Sequence, residues 1–155
     1  MTLSRKRLNQ ALAVSAYMLG EARLATDADV VIVTLAEKLM DADVPVDRVV
    51  SIVQLLNAQA QASARYWEWG KGARHGIFTV SDQDAGGYAQ SPAAEAHQTD
   101  EWVIFRLADT PDERFGIVRD LKADGYTHYV CAPLVMASGM IATLNFATKA
   151  PDGFS

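Results

Sequence analysis

Thr127-His-Tyr-Val-Cys-Ala-Pro-Leu-Val-Met136 and Met140-Ile-Ala-Thr-Leu-Asn-Phe-Ala-Thr148, joined by Ala137-Ser138-Gly139, decide the fold. They read as two strands on a short turn, hence an antiparallel pair. Just upstream, Thr110-Pro-Asp-Glu113 offers a capping hydroxyl, a proline at the first helical position and acidic residues in the first turn. A helix carrying Phe115, Val118 and Leu121 is expected there, closed by Gly125 in a left-handed cap. Residues 101–107 (EWVIFRL) precede it as a further strand.

Between these elements and the N-terminus the period changes twice. Residues 46–56 are rich in Val and Ile, residues 62–69 alternate in part, and Gly70-Lys-Gly72 suits a hairpin turn before a short strand at 77–80. Residues 81–99, with adjacent glycines, a proline and many small polar residues, read as a long surface loop. The first forty residues read as two helices. Leu8, Leu12, Tyr17, Leu19 and Leu24 follow a cap at Ser4, and Val31, Ile32, Leu35, Leu39 and Met40 follow a cap at Asp27 or Asp29. The expectation is an α+β domain over 1–155, with N-terminal helices in 1–42 and, in 46–155, an antiparallel sheet with one inserted helix, all helices gathered on one face.

Composition narrows the functional classes. The chain has 155 residues, net charge −5 and one cysteine, Cys131. An intrachain disulfide is impossible, which suits a reducing, cytoplasmic setting. Nucleic acid is disfavoured as a partner because no concentrated basic face is evident. Membrane spanning is disfavoured because no apolar run approaches the roughly 20 residues required.

Several catalytic signatures fail on spacing. Gly70-Lys-Gly72-Ala-Arg-His-Gly76 misses the dinucleotide fingerprint by one residue and leads into a strand. Asp82-Gln-Asp84 starts like a calcium loop but has Ala93 where a bidentate Glu is required. His75, His97 and His128 lie too far apart for a metal motif, and strand alternation separates His128 from Cys131. Cys131 reads as a small buried apolar residue. The aromatic run is more suggestive. Trp67 and Trp69 share one strand face, opposite Tyr66 and Glu68, and read either as core or interface or as the wall of a pocket for a flat ligand. Candidate ligand-binding residues are Trp67, Trp69, Arg74, Tyr88, Trp102 and Tyr129; no cofactor is specified.

The C-terminal run of Leu134, Gly139, Ile141-Ala-Thr-Leu-Asn-Phe146 and Pro151-Asp-Gly153-Phe154-Ser155 resembles the closing strands of a GAF domain. More specifically, the chain is similar to the regulatory region ahead of the catalytic domain in a group of bacterial class III adenylate/guanylate cyclases. The matching pieces, in unbroken order over about residues 30 to 155, are residues 39–48 (LMDADVPVDR), Tyr66-Trp-Glu-Trp69, Ser91-Pro92, Phe105-Arg-Leu107, residues 121–129 (LKADGYTHY), Pro133-Leu134 and residues 147–155 (ATKAPDGFS). Two positions depart from that pattern: Leu56-Asn57-Ala58 stands where His-Pro is common, and His128 where Asp is usual.

The resemblance implies a GAF-like, non-catalytic sensory or regulatory domain acting in cyclic-nucleotide signalling, by ligand binding or dimerisation, on a downstream cyclase. The paired metal-binding aspartates of such a cyclase do not occur in this chain. In the family a further helix follows the P-x-G-F-[ST] ending; the chain stops at Ser155, where that helix would begin. Apolar surface left by its absence makes a homodimer the expected state, through the N-terminal helix and the bare sheet face. The alternatives are a free-standing dimerisation module with no ligand, a haem or chromophore sensor, and a small enzyme built on Cys131 or His128.

Overall fold

The computed structural model describes residues 4–55, 60–79, 87–135 and 140–154. Three helices open the chain: α1 (Arg5–Leu19), α2 (Glu21–Leu24) and α3 (Ala28–Asp41). Ser4 Oγ accepts the Arg7 backbone N–H at 3.2 Å and the Asp27 carboxylate accepts that of Asp29 at 2.9 Å, so both anticipated caps are in place. Strands β1 (Arg48–Gln54), β2 (Ala60–Glu68) and β3 (Gly72–Thr79) follow. Helix α4 (Pro92–Thr99), strand β4 (Val103–Arg106), helix α5 (Val118–Ala123) and strands β5 (His128–Val135) and β6 (Ile141–Thr148) complete the order. The six strands form one antiparallel sheet in the order β3-β2-β1-β6-β5-β4.

The α+β class is as expected, but the helices cover both faces of the sheet instead of one. Tyr17, Ile32, Leu35 and Ala36 of α1 and α3 pack with Val49 and Trp67 on one side, against Leu144 and Phe146 of β6. Ala93 and Ala96 of α4 and Val118 and Leu121 of α5 pack with Phe105, Tyr129, Cys131 and Ala147 on the other. The opposite parity of Phe146 and Ala147 makes the two sides unambiguous. Two-sided burial also explains the near-continuous apolar reading of β1, where Val49 and Val50 are both buried.

Three local expectations are corrected. The supposed loop 81–99 contains α4, for Ser91 Oγ accepts the Ala94 N–H and Pro92 occupies the first turn, a helix start hidden among small residues. Thr110 does not open a helix. Its hydroxyl donates to the Arg106 carbonyl at 2.7 Å, residues 111–117 run as turns, and α5 begins at Val118. Finally β3 starts at Gly72, since pairing with β2 supplies the ladder that its polar sequence does not advertise, as edge strands permit. Gly125 behaves as expected: with φ +82° it closes α5, and Tyr126 N–H donates to the Leu121 carbonyl.

The C-terminal residues are fixed by a local lock. Phe154 N–H donates to His128 Nδ1 at 3.1 Å and its ring lies 5.5 Å from the imidazole. A side chain on Gly153, which has φ +72°, would meet His128 Nδ1 at 2.5 Å, so this position needs glycine twice over. His128 thus supplies the acceptor that an Asp could also supply.

Two outcomes follow from this packing. Leu121, wholly buried, contributes to the α5 side of the core. Leu121→Ala is expected to cost about 2–5 kcal/mol, lowering the melting temperature by about 5–15 °C in a thermal melt. Burial and then the Arg106 charge push His128 below its ordinary 6.5. The unfolded chain therefore binds that proton more readily, and the stabilisation is present above pH 6.5 and lost as pH falls through the lowered folded value. In denaturant titrations, His128→Asn, which keeps an acceptor but cannot titrate, should flatten that part of the pH profile; identical profiles would contradict the assignment.

Candidate functional site

On the α4/α5 side, register lines up a polar group over β1, β2 and β3. Arg48 pairs with Glu68 and with Ala147, Val50 with Tyr66 and Asn145, and Tyr66 with Arg74. Cross-strand partners share a face, so Arg48, Tyr66, Glu68 and Arg74 stand together beside the apolar core that α4 and α5 build over β4 and β5.

Glu68 is the centre of this group. Although buried, its carboxylate accepts from Lys71 Nζ at 2.8 Å and lies 3.5 Å from Arg74 Nη2 and from the Tyr126 hydroxyl. Burial alone would raise its pKa, but the Lys71 hydrogen bond, the Arg48 charge and Arg74 together hold it below the usual carboxylate range. Burial and the Glu68 charge push the Tyr126 phenol up to about 12, so it remains a donor. The Arg74 guanidinium stacks on the Tyr66 ring at 3.8 Å, and that of Arg48 lies 5.9 Å from the same ring.

Arg48 carries an unspent donor. Among the described residues its Nε is the buried side-chain nitrogen without a hydrogen-bond partner. Leaving such a donor unpaired costs about 1–3 kcal/mol. Three cations, Arg48, Lys71 and Arg74, thus surround one carboxylate on an aromatic floor, in a protein of net charge −5. The chemistry this favours is binding of a flat, anionic group.

The six residues anticipated from sequence do not form one cluster. Trp67 and Trp69 share a face as expected, edge to face at 6.3 Å, but on the α1/α3 side. Trp67 is core there, while Trp69 is exposed and lines an open groove of about 550 Å³ with Met40, Val44, Asp47 and Lys149. Arg74 belongs to the polar group. Tyr129 lies in the α4/α5 core, its hydroxyl donating to Asn145 Oδ1 at 3.2 Å, and Asn145 in turn donates to the Val50 carbonyl. Tyr88 bonds His97 Nδ1 at 2.8 Å, and His97 Nε2 donates to the Ala142 carbonyl at 3.1 Å. Trp102 is exposed just ahead of β4.

Catalytic chemistry finds little purchase. Burial pushes the Cys131 thiol up to about 12, so it is no thiolate nucleophile. Ser63 Oγ lies 3.0 Å from His75 Nε2, but the pair is exposed. Among the described residues no three His, Cys, Asp or Glu gather as a metal site, and no helix is long and apolar enough to cross a membrane. The calcium-like Asp82 and Asp84 lie outside the described residues. Arg48, Glu68, Tyr66 and Tyr126 were not among the candidate ligand-binding residues, although Tyr66 and Glu68 were placed together on the strand face opposite the tryptophans. The Gly70-Lys-Gly72 hairpin could have placed Lys71 and Arg74 beside Glu68 and Tyr66; Arg48 and Tyr126 reach them only through tertiary pairing.

No protein-family model and no curated protein sequence matches the chain. Solved structures do. The GAF domain of a two-component sensor histidine kinase from Bacillus halodurans is similar with TM-score 0.56 and 15% identity, over 82% of this chain and 80% of that one. The A. aeolicus nlh2 GAF domain in an inactive state gives TM-score 0.55 and 10% identity over 92% and 79%. The GAF domain of a phosphoenolpyruvate-protein phosphotransferase from Coxiella burnetii gives TM-score 0.58 and 10% identity over 99% and 84%. The fold is GAF-like.

Proposed function

We propose that the chain is a non-catalytic sensory or regulatory domain that binds a small anionic ligand and acts on an attached class III adenylate or guanylate cyclase. The observation that carries the ligand is the unpaired Arg48 Nε beside Glu68, Lys71 and Arg74. An anion there would satisfy the buried donor and neutralise part of the excess positive charge. The cyclase context rests on the ordered motifs from residue 39 to residue 155. Of the GAF neighbours, one is named as a domain of a two-component sensor histidine kinase, which agrees with a sensory role. The same fold without a ligand would serve as a dimerisation module.

A thermal-shift screen of mononucleotides, cyclic nucleotides, phosphate esters and dicarboxylates tests the ligand. A ligand at about 100 times its dissociation constant stabilises by roughly 2.7 kcal/mol, a shift of about 5–10 °C. That shift should vanish in Arg48→Ala and persist in Trp69→Ala. Loss in Trp69→Ala with retention in Arg48→Ala would move the site to the other face, and no shift with any anion would leave the dimerisation reading. Sequencing downstream of codon 155 tests the output: a cyclase domain in frame supports it, and a stop codon overturns it.

A further inference from the structure

The sheet ends in two edge strands, and they are built differently. β3 carries Arg74 and His75 between Gly72 and Gly76, a polar, glycine-interrupted sequence of the kind that keeps an edge from pairing. β4 has none of these devices. Val103-Ile-Phe-Arg106 holds no proline, glycine or register shift, and Ile104 at its middle is 55% exposed. Trp102, two residues ahead of Ile104, is 63% exposed.

Register shows which backbone groups of β4 are free. The Leu107 N–H donates to the Thr127 carbonyl at 2.9 Å, which makes Arg106 and His128 a pair without mutual hydrogen bonds. Alternation then turns Val103 and Phe105 toward β5. It turns the N–H and C=O of Ile104, and the N–H of Arg106, away from the sheet. The Arg106 carbonyl on that side accepts the Thr110 hydroxyl at 2.7 Å, which closes the edge at its C-terminal end. Among the described residues nothing bonds the other three groups.

Charge selects what lies there. Asp100 and Glu101 stand exposed ahead of Trp102, and Asp109 stands exposed beyond the strand. None of the three is in an ion pair among the described residues. Arg106, the cation of the strand, is turned to the Asp152 carbonyl at 2.9 Å. We propose that the outer edge of β4 receives an extended basic segment of a partner protein, added to the sheet as a further strand. Its apolar side chains lie on Trp102 and Ile104, and its Lys or Arg residues reach Asp100, Glu101 and Asp109. The backbone bonds align the segment, and the apolar and charged positions make the choice of sequence. This edge shares no residue with the Arg48 group, so either reading can fail without the other.

A capped peptide of about nine residues, alternating lysine with valine and threonine, is the probe, used with the whole chain. At saturation it should slow hydrogen exchange of the Ile104 and Arg106 amides about tenfold or more, and that of Phe105, already in the ladder, much less. Ile104→Pro removes the outward N–H at an edge position where proline is tolerated, and Ile104→Lys sets a like charge against the segment. Each should weaken the peptide about tenfold or more, with the melting temperature within about 5 °C of the unmodified protein. A version of the peptide with glutamate for lysine should bind about tenfold more weakly or worse. Equal binding of the glutamate version, undiminished binding by a folded Ile104 variant, or an Ile104 amide left unprotected at millimolar peptide would overturn the proposal. A doubled chain mass in light scattering that Ile104→Pro abolishes would overturn its occupant, because a second copy would then hold the edge.

Discussion

The pairing of β1 with β6 is the constraint on which the other elements depend. It joins residues 48–53 to residues 142–147, the two middle strands of the sheet, from opposite ends of the chain. Asp47 closes one end of this seam: its N–H donates to the Ala147 carbonyl, and its carboxylate accepts from Lys149 N–H at 2.6 Å and the Thr148 hydroxyl at 3.2 Å. Asn145, buried in the seam, bonds the Val50 carbonyl and is held by Tyr129. Without β6 the β1-β2-β3 meander and the β4-β5 pair would be separate ribbons with bare edges. Such long-range pairing also makes the fold slow to assemble, since chain closure precedes any gain from contact.

The seam divides the α4/α5 face into two environments. Over β4, β5 and β6 the side chains are covered and mostly apolar, with Asn145 and Thr143 buried among them: Phe105 and Tyr129 lie 5.2 Å apart, and Phe105 and Phe115 5.3 Å apart. Over β1, β2 and β3 the same face carries Arg48, Tyr66, Glu68 and Arg74. Tyr126 stands at the boundary, covered by the Lys149 ammonium at 4.8 Å and reaching Glu68 with its hydroxyl. The cationic half, with the Tyr66 ring beneath Arg74, suits a ligand with one flat face and one anionic edge.

Much of this architecture was legible in the sequence because it rests on local chemistry. The caps at Ser4 and Asp27, the Gly70-Lys-Gly72 turn and the Gly125 closure each depend on residues within a few positions. What was not legible depends on tertiary pairing. Helix α4 reads as loop because alanine, glutamine and threonine give no apolar period; it is helical because Ala93 and Ala96 are small enough to lie flat on the core. The placement of helices on two faces was not read from Val49 and Val50, because β-branched residues are enriched at strand positions generally, half-buried ones included. For the site, Arg74 was found for its position beside an aromatic strand, whereas Arg48 stood only as the last residue of the 39–48 piece until register set it opposite Glu68.

Alternation along β1 and β2 ties the polar group to the N-terminal helices. Arg48 and Glu68 face the open half of the sheet, and their chain neighbours Val49 and Trp67 face Tyr17, Ile32 and Leu35. A displacement of the Arg48 backbone therefore cannot be confined to one face, because the next Cβ points into a core whose packing tolerates little change in volume. An anion that drew Arg48 away from Tyr66 would load α1 and α3 through Val49. The size of any such response is bounded by the difference in the ligand's affinity for the two arrangements, not by its affinity for either. A group held only by Arg74, 57% exposed at its side chain, would bind without that consequence. Under the proposed sensory role, contact with Arg48 would therefore distinguish a ligand that signals from one that merely occupies the surface.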